Sequence, residues 1–170
     1  RYIYNQMMYR LALDDSRLAL PAPVYRLKAE NGPTTYGMRE TVAADGRWSA
    51  VQEIPFFAVP PGRRRDGLIP IYSVAAPPPA KPGMTLQVEA PAGAKPLFYA
   101  LPATPADGEK PSPDIVPLYE YRDAQSGERW FATDAGGQPP TGTRSQTPLC
   151  RVWRNPASVL ALDFSAQPIP

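Results

Sequence analysis

Apolar and polar residues alternate along most of the chain, in short runs that a glycine or a proline interrupts. The stretch VPLYEYRDAQSGERWFATD, residues 116–134, shows this most clearly, with one alternating run on each side of Gly127. Alternation with a period of two is typical of a strand buried on one face, and alternation that stops at a glycine and resumes is typical of a β-hairpin. The pattern therefore predicts an all-β chain of short strands.

Three of these runs begin with a proline, an aliphatic residue and a tyrosine, and the motif recurs every 47 residues. Its copies are Pro23-Val24-Tyr25, Pro70-Ile71-Tyr72 and Pro117-Leu118-Tyr119. A second kind of unit lies between them, an apolar strand followed by a proline-containing turn. It starts at Pro55, Pro96 and Pro148. Alignment on these prolines puts Phe57, Phe98 and Cys150 at one position, which we expect to be buried.

The repeat predicts a fold. Three units of this length, each with about four strands, are typical of a β-trefoil, whose closed barrel leaves few sheet edges exposed. β-Propeller blades have a similar period, but propellers usually have four or more blades. We therefore predict a β-trefoil-like domain over residues 22–170, with three pseudo-repeats of about 47 residues. An extra N-terminal hairpin is predicted over residues 1–21, where RLALDDSRLAL is nearly symmetrical about its central turn residues.

Composition and charge narrow the classes of function. The 24 prolines in 170 residues amount to about 14%, against a usual content of about 5%, which fits many turns and strand starts. The net charge of +2 is too small to indicate a nucleic-acid partner. No apolar run approaches the roughly 18 residues of a transmembrane helix. Because the chain opens at Arg1 without a signal-like segment, we expect a processed piece or a domain of a larger protein.

The sequence holds few groups that catalyse reactions. It contains no histidine and one cysteine, which excludes Ser-His-Asp and Cys-His arrangements, zinc sites of histidine and cysteine, and an intrachain disulfide. Phosphate-binding glycine motifs and EF-hand loops do not occur. We expect Cys150 to be a small buried residue and the arginines at 63–65 to form a solvated hairpin tip. The sequence therefore predicts a protein without catalytic activity, metal or cofactor.

One group of residues is a candidate ligand-binding site for a sugar. It comprises Tyr121, Asp123, Glu128, Arg129 and Trp130. An aromatic plane suits the apolar C–H face of a sugar ring, and a carboxylate and an arginine suit its hydroxyls. Trp130 does not recur, since alignment on the glycines places Thr35 at its position in the first unit. The alternative is that Trp130 is a partly buried residue between strands, and the Gln-x-Trp triplet of ricin-type lectins is absent.

Parts of the chain resemble a repeat domain of unknown function that is appended to secreted microbial hydrolases and lectins. Its units contain a Phe-Tyr strand, a short spacer and the run V-Y-R-x-Y-N-x-x-T-G-x-H-F-Y-T. Residues 96–134 follow this order closely, residues 54–74 follow its first half, and residues 22–32 follow its second. Arg129 stands where the family has a histidine. The resemblance implies an accessory module that is secreted or located at the cell surface.

Two main hypotheses for function follow. The first is a non-catalytic binding module that recognises glycan or cell-wall polysaccharide. The alternative is a structural or protein–protein interaction domain, such as an assembly subunit, an adhesin or a toxin-targeting module, with the proline-rich loops 77–83 and 103–113 as contact surfaces. A stable homo-oligomer or a copurifying protein would favour the alternative. A trypsin-directed protease inhibitor that presents GRRRDG, residues 62–67, is a third hypothesis, which an inhibition assay would test.

Overall fold

The computed structural model describes residues 21–28, 34–39, 50–62, 66–77, 83–133 and 142–154. In these ranges the chain is all-β with antiparallel strands and almost no helix, as the alternation predicts. The strands are β1 (Ala22–Lys28), β2 (Thr34–Gly37), β3 (Ala50–Ala58), β4 (Ile69–Ala75), β5 (Met84–Gln87), β6 (Phe98–Ala100), β7 (Ile115–Arg122), β8 (Arg129–Thr133), β9 (Thr143–Arg144) and β10 (Cys150–Trp153). The predicted N-terminal hairpin lies outside the described residues, apart from Pro21. None of the described segments forms a helix that could span a bilayer.

The strands form one sheet of seven and one of three. The larger has the order β2-β1-β3-β10-β7-β8, with β9 also paired to β7, and the smaller has the order β5-β4-β6. Each Pro-aliphatic-Tyr motif lies on the middle strand of a group of three, which are β2-β1-β3, β5-β4-β6 and β8-β7-β10. In every group the motif strand forms a hairpin with the next strand and pairs on its other edge with the last strand of the group.

The aliphatic residue of the motif contributes to the core in all three groups. These residues have no exposed surface and pack in one apolar cluster: Val24, Ile71 and Leu118. Successive side chains of a strand point to opposite faces, so the motif tyrosines lie on the other face. There Tyr72 is buried, whereas Tyr25 and Tyr119 are half-buried. Within the Pro-aliphatic-Tyr motif, the aliphatic residue is thus buried more uniformly than the tyrosine.

The second kind of unit has a register that differs from the sequence alignment. Opposite the buried aliphatic residues of the motif, across the ladder, stand Phe56, Phe98 and Cys150. All three are buried, whereas Phe57 is half-buried and points to the other face. The alignment of Phe57 with Phe98 and Cys150 is therefore wrong by one residue. Two consecutive phenylalanines give no apolar contrast, and a slip of one residue exchanges the two faces of a strand.

The ends of the last strands of the three groups pair with one another. Val59 and Tyr99 exchange backbone hydrogen bonds of 3.0 and 2.8 Å, which join the end of β3 to β6. Leu101 and Arg151 exchange two bonds of 2.9 Å, which join the end of β6 to β10. Trp153 of β10 pairs in turn with Phe57 of β3. Backbone pairing therefore connects each group of three strands to both of the others.

Aromatic rings link the core across distant segments. Phe98 meets Phe56 edge to face at 5.6 Å between ring centroids, Phe56 stacks on Tyr36 at 6.3 Å, and Tyr36 meets Phe131 edge to face at 5.8 Å. These geometries suit the charge distribution of aromatic rings. The Tyr36 hydroxyl also accepts a hydrogen bond from the Phe131 N–H at 2.8 Å. The hairpins β1–β2 and β7–β8 are thereby held together inside the core.

Alanine substitution of each adjacent phenylalanine tests the register of β3. We expect F56A to lower the free energy of unfolding by about 3–5 kcal/mol, because it removes a buried ring and leaves a cavity. The matched variant F57A should lower it by less, since Phe57 is half-buried. Denaturant titration of both variants measures the two values. A loss in F57A that equals or exceeds the loss in F56A would contradict the register.

Candidate functional site

The five predicted ligand-binding residues lie close together in sequence on the β7–β8 hairpin. Tyr121 and Trp130 face each other across the two strands, and Asp123 and Glu128 lie in the connecting loop. Thr35 of β2 and Thr85 of β5 hold the place of Trp130 in the other two hairpins, each opposite the residue four positions after the motif proline. The alignment of Thr35 with Trp130 therefore matches the strand pairing.

Asp123 organises the hairpin loop. Its Oδ1 accepts hydrogen bonds of 2.7 Å from the N–H groups of Gln125 and Ser126, a local arrangement that is common for aspartate in turns. The Asp123 N–H donates to the Glu128 carbonyl at 3.0 Å, and the Gly127 N–H donates to the Asp123 carbonyl at 3.0 Å. Gly127 has a φ of 68°, which glycine adopts without a steric penalty. These hydrogen bonds within the loop are sufficient to explain why an aspartate stands at position 123.

The aromatic pair divides into a buried and a partly accessible member. Tyr121 is 4% exposed, whereas Trp130 is half-buried. The guanidinium of Arg26, from β1, lies over the Trp130 ring with Cζ 4.0 Å from the ring centroid, which is a cation–π contact. The indole Nε1 is buried and has no hydrogen-bond partner in the part of the chain that the structure describes. One face of Trp130 is therefore covered by Arg26, and no described residue accepts a hydrogen bond from its indole N–H.

Arg129 lies on the opposite side of β8 from Trp130, because consecutive strand residues alternate between faces. Glu120 Oε1 is 3.4 Å from Nη1 of Arg129 and 3.4 Å from Nη2 of Arg122. One carboxylate thus serves two guanidinium groups, and this small cluster has a net charge of +1. Glu128 is half-buried beside it. The five predicted residues therefore share a hairpin but do not converge on one pocket.

A groove lies at the other end of β7, in the loop that joins β6 to β7. It has a volume of about 240 Å³, and its lining includes Pro105, Pro111, Ile115, Glu109, Lys110 and Arg151. This loop is one of the two proline-rich loops that the sequence singles out. The arginines at 63–65 and residues 78–82 of the other proline-rich loop are outside the described ranges.

An arginine–carboxylate pair fixes this loop onto β10. Arg151 Nη1 and Nη2 donate to Oε1 and Oε2 of Glu109 at 2.5 and 2.9 Å, and its Nε donates to the Pro102 carbonyl at 2.7 Å. Such a two-point contact is the geometry in which arginine binds a carboxylate most strongly. The bonds from Arg151 and from the Ala106 N–H lower the pKa of Glu109 from 4.5 to about 2. Sequence reasoning missed this pair, because its members are 42 residues apart.

Cys150 is part of the apolar core, as the sequence predicts. It has no exposed surface, and burial raises the pKa of its thiol well above the usual range. Since the thiolate is the reactive form of cysteine, this side chain is unsuited to nucleophilic chemistry. Among the described residues there is also no group of three or more histidine, cysteine, aspartate and glutamate side chains that could hold a metal ion.

Comparison with known proteins gives no further guide to the site. No protein-family model, no curated protein and no solved structure matches the chain. The geometry of the β7–β8 hairpin and of the groove is therefore the basis for a functional proposal.

The burial of Cys150 can be tested by thiol labelling. We expect the native protein to react with a disulfide exchange reagent only as fast as it unfolds, because the thiol has no exposed surface. The same protein in denaturant should react at once and at one thiol per chain. Native protein that reacts as fast as the denatured control would contradict the position of Cys150 in the core.

The Glu109–Arg151 pair predicts a specific dependence of stability on pH. Because folding lowers the pKa of Glu109, the ionised carboxylate stabilises the fold above pH 4.5, and this contribution is lost as the pH falls towards 2. We therefore expect the wild type to melt at a higher temperature than E109Q at neutral pH, with the difference shrinking between pH 4.5 and 2.

The matched control for this experiment is E89Q, which alters an exposed glutamate outside the groove. Its melting temperature should differ from that of the wild type by a small amount across the same pH range. A wild-type advantage over E109Q that stays constant down to pH 2 would rule out the ion pair as its source.

Proposed function

We propose that the chain is a non-catalytic binding module of β-trefoil-like architecture. In this proposal it recognises glycan or cell-wall polysaccharide and acts as an accessory domain of a secreted or surface protein. The observation that carries the proposal is Trp130, a partly accessible indole at a hairpin position where the other two hairpins have threonine.

Strand pairing supports the architectural part. The three motif strands have corresponding neighbours, and the three pairings between groups use corresponding positions. Val59 pairs with Tyr99, Leu101 pairs with Arg151, and Trp153 pairs with Phe57. A chain built from three related units of 47 residues would show this arrangement, and closure among the units would limit the number of exposed edges.

The chemistry of Trp130 supports the choice of a sugar. The indole is partly accessible and presents apolar surface for the C–H face of a sugar ring. Arg26 holds the indole from one side, so the ring is already oriented before a ligand arrives. A preoriented side chain loses less conformational entropy on binding.

Replacement of Trp130 by threonine tests this site. The fold should accept W130T, because Thr35 and Thr85 occupy the corresponding positions. We expect the variant to bind polysaccharide about two- to tenfold more weakly, as the loss of one aromatic stacking contact would give. A glycan array identifies the polysaccharide, and calorimetric titration measures the affinities of the wild type and the variant.

The matched control is Y99T, which removes a half-buried ring that lies outside the β7–β8 hairpin and packs against the cluster of Val59, Leu68 and Trp153. Y99T should bind like the wild type if it remains folded, which near-ultraviolet circular dichroism checks for both variants. No binding on the array, or equal affinity of W130T and wild type, would contradict the proposed site. A stable homo-oligomer or a copurifying protein would instead favour an interaction domain.

A further inference from the structure

The groove beside β10 carries one positive charge that forms no ion pair with the residues that the structure describes. Arg151 and Glu109 neutralise each other in their two-point contact. Lys110 also lines the groove, and within the described residues it takes part in no ion pair. The lining therefore has a net charge of +1, which is complementary to a ligand with a single negative charge.

The groove is small and is held in shape without a ligand. Its volume of about 240 Å³ is below the range of roughly 300–1,000 Å³ that holds drug-sized molecules, so it suits one small ring. Pro105 and Pro111 have fixed φ angles, and the hydrogen bonds that Glu109 accepts from Arg151 and from the Ala106 N–H fix the loop between them. Little conformational entropy is then lost when a ligand binds.

The polar groups of the groove suit a ligand that both donates and accepts hydrogen bonds. An arginine has five N–H donors, of which three are used here, and an ionised carboxylate has about four acceptor sites, of which three are used. The donors and the acceptor that remain match the hydroxyl groups of a sugar. The two prolines and Ile115 provide apolar surface for the C–H face of the same ring.

We propose that this groove binds a uronic acid residue of an acidic glycan, with the sugar carboxylate on Lys110 and the ring against Pro105 and Pro111. The inference rests on the proposed glycan-binding function and adds a second site that selects for acidic sugars. The two sites would be well separated, because Ile115 and Tyr121 are six residues apart on β7, a distance of roughly 20 Å along an extended strand. One polysaccharide chain that reaches both sites would bind more tightly than either site alone allows.

Binding of monosaccharides tests the groove directly. Glucuronate and galacturonate are titrated against the protein, with glucose and galactose as neutral counterparts and N-acetylalanine as a carboxylate without a sugar ring. We expect the uronates to bind more tightly than either comparison class, and raised salt to weaken them, because an exposed ion pair is screened. K110M should bind them about two- to fivefold more weakly.

The matched control is K95M, which removes an exposed lysine outside the groove and should leave uronate binding unchanged. Equal binding of uronates and neutral sugars, or equal affinities of K110M and K95M, would overturn the inference. N-acetylalanine that binds as well as the uronates would also overturn it and would indicate a peptide carboxylate as ligand. If polysaccharide binding still depends on Trp130 in either case, the proposed function stands and only the groove inference fails.

Discussion

The mutual pairing of the ends of β3, β6 and β10 is the constraint on which the rest of the structure depends. It joins segments that are distant in sequence, such as Val59 and Tyr99 or Leu101 and Arg151, through reciprocal backbone hydrogen bonds. Small side chains without exposed surface precede the paired ends: Ala58, Ala100 and Val152. Because protein interiors are close-packed, larger residues at these positions would push the three strands apart. The strands that carry the Pro-aliphatic-Tyr motif, β1, β4 and β7, pair with β3, β6 and β10. The aliphatic residues of the motif fill the core between the strands.

The paired strands form a scaffold, and the hairpin ends and loops lie outside it. Arg151 connects the scaffold to one of these loops. Its backbone pairs with Leu101 in the core of the structure, while its side chain holds Glu109 and so shapes the groove. Phe57 and Tyr99 occupy the corresponding positions on β3 and β6, opposite the motif prolines. Position 151 therefore has a guanidinium where the other two positions have an aromatic ring, and this guanidinium binds a carboxylate. A second case is the hairpin position that holds Thr35 in β2 and Thr85 in β5, because β8 has Trp130 there.

The sequence predicts the all-β class and the short antiparallel strands because both depend on local alternation and on turn residues. The alignment of the second kind of unit is wrong by one residue at Phe56 and Phe57, because two identical residues do not show which side chain points inward. The sequence alone does not predict the contact of Arg26 with Trp130 or the Glu109–Arg151 pair, because these residues meet only after distant strands assemble. Asp123 is predicted as a ligand-binding residue, but its carboxylate accepts hydrogen bonds from the backbone of its own loop. The sequence does not distinguish an aspartate that binds a ligand from one that stabilises a turn. The surroundings of the candidate residues therefore depend on tertiary contacts that alternation does not encode.

Native-state hydrogen exchange at four backbone amides tests the central constraint most directly. The amides of Val59, Tyr99, Leu101 and Arg151 each donate to a strand of another group. If the pairing of these strands holds the molecule together, all four should exchange only through global unfolding, with one shared free energy that denaturant lowers equally. Exchange of the Val59–Tyr99 pair at a much lower free energy than the Leu101–Arg151 pair would contradict the account, because the three groups would then open independently.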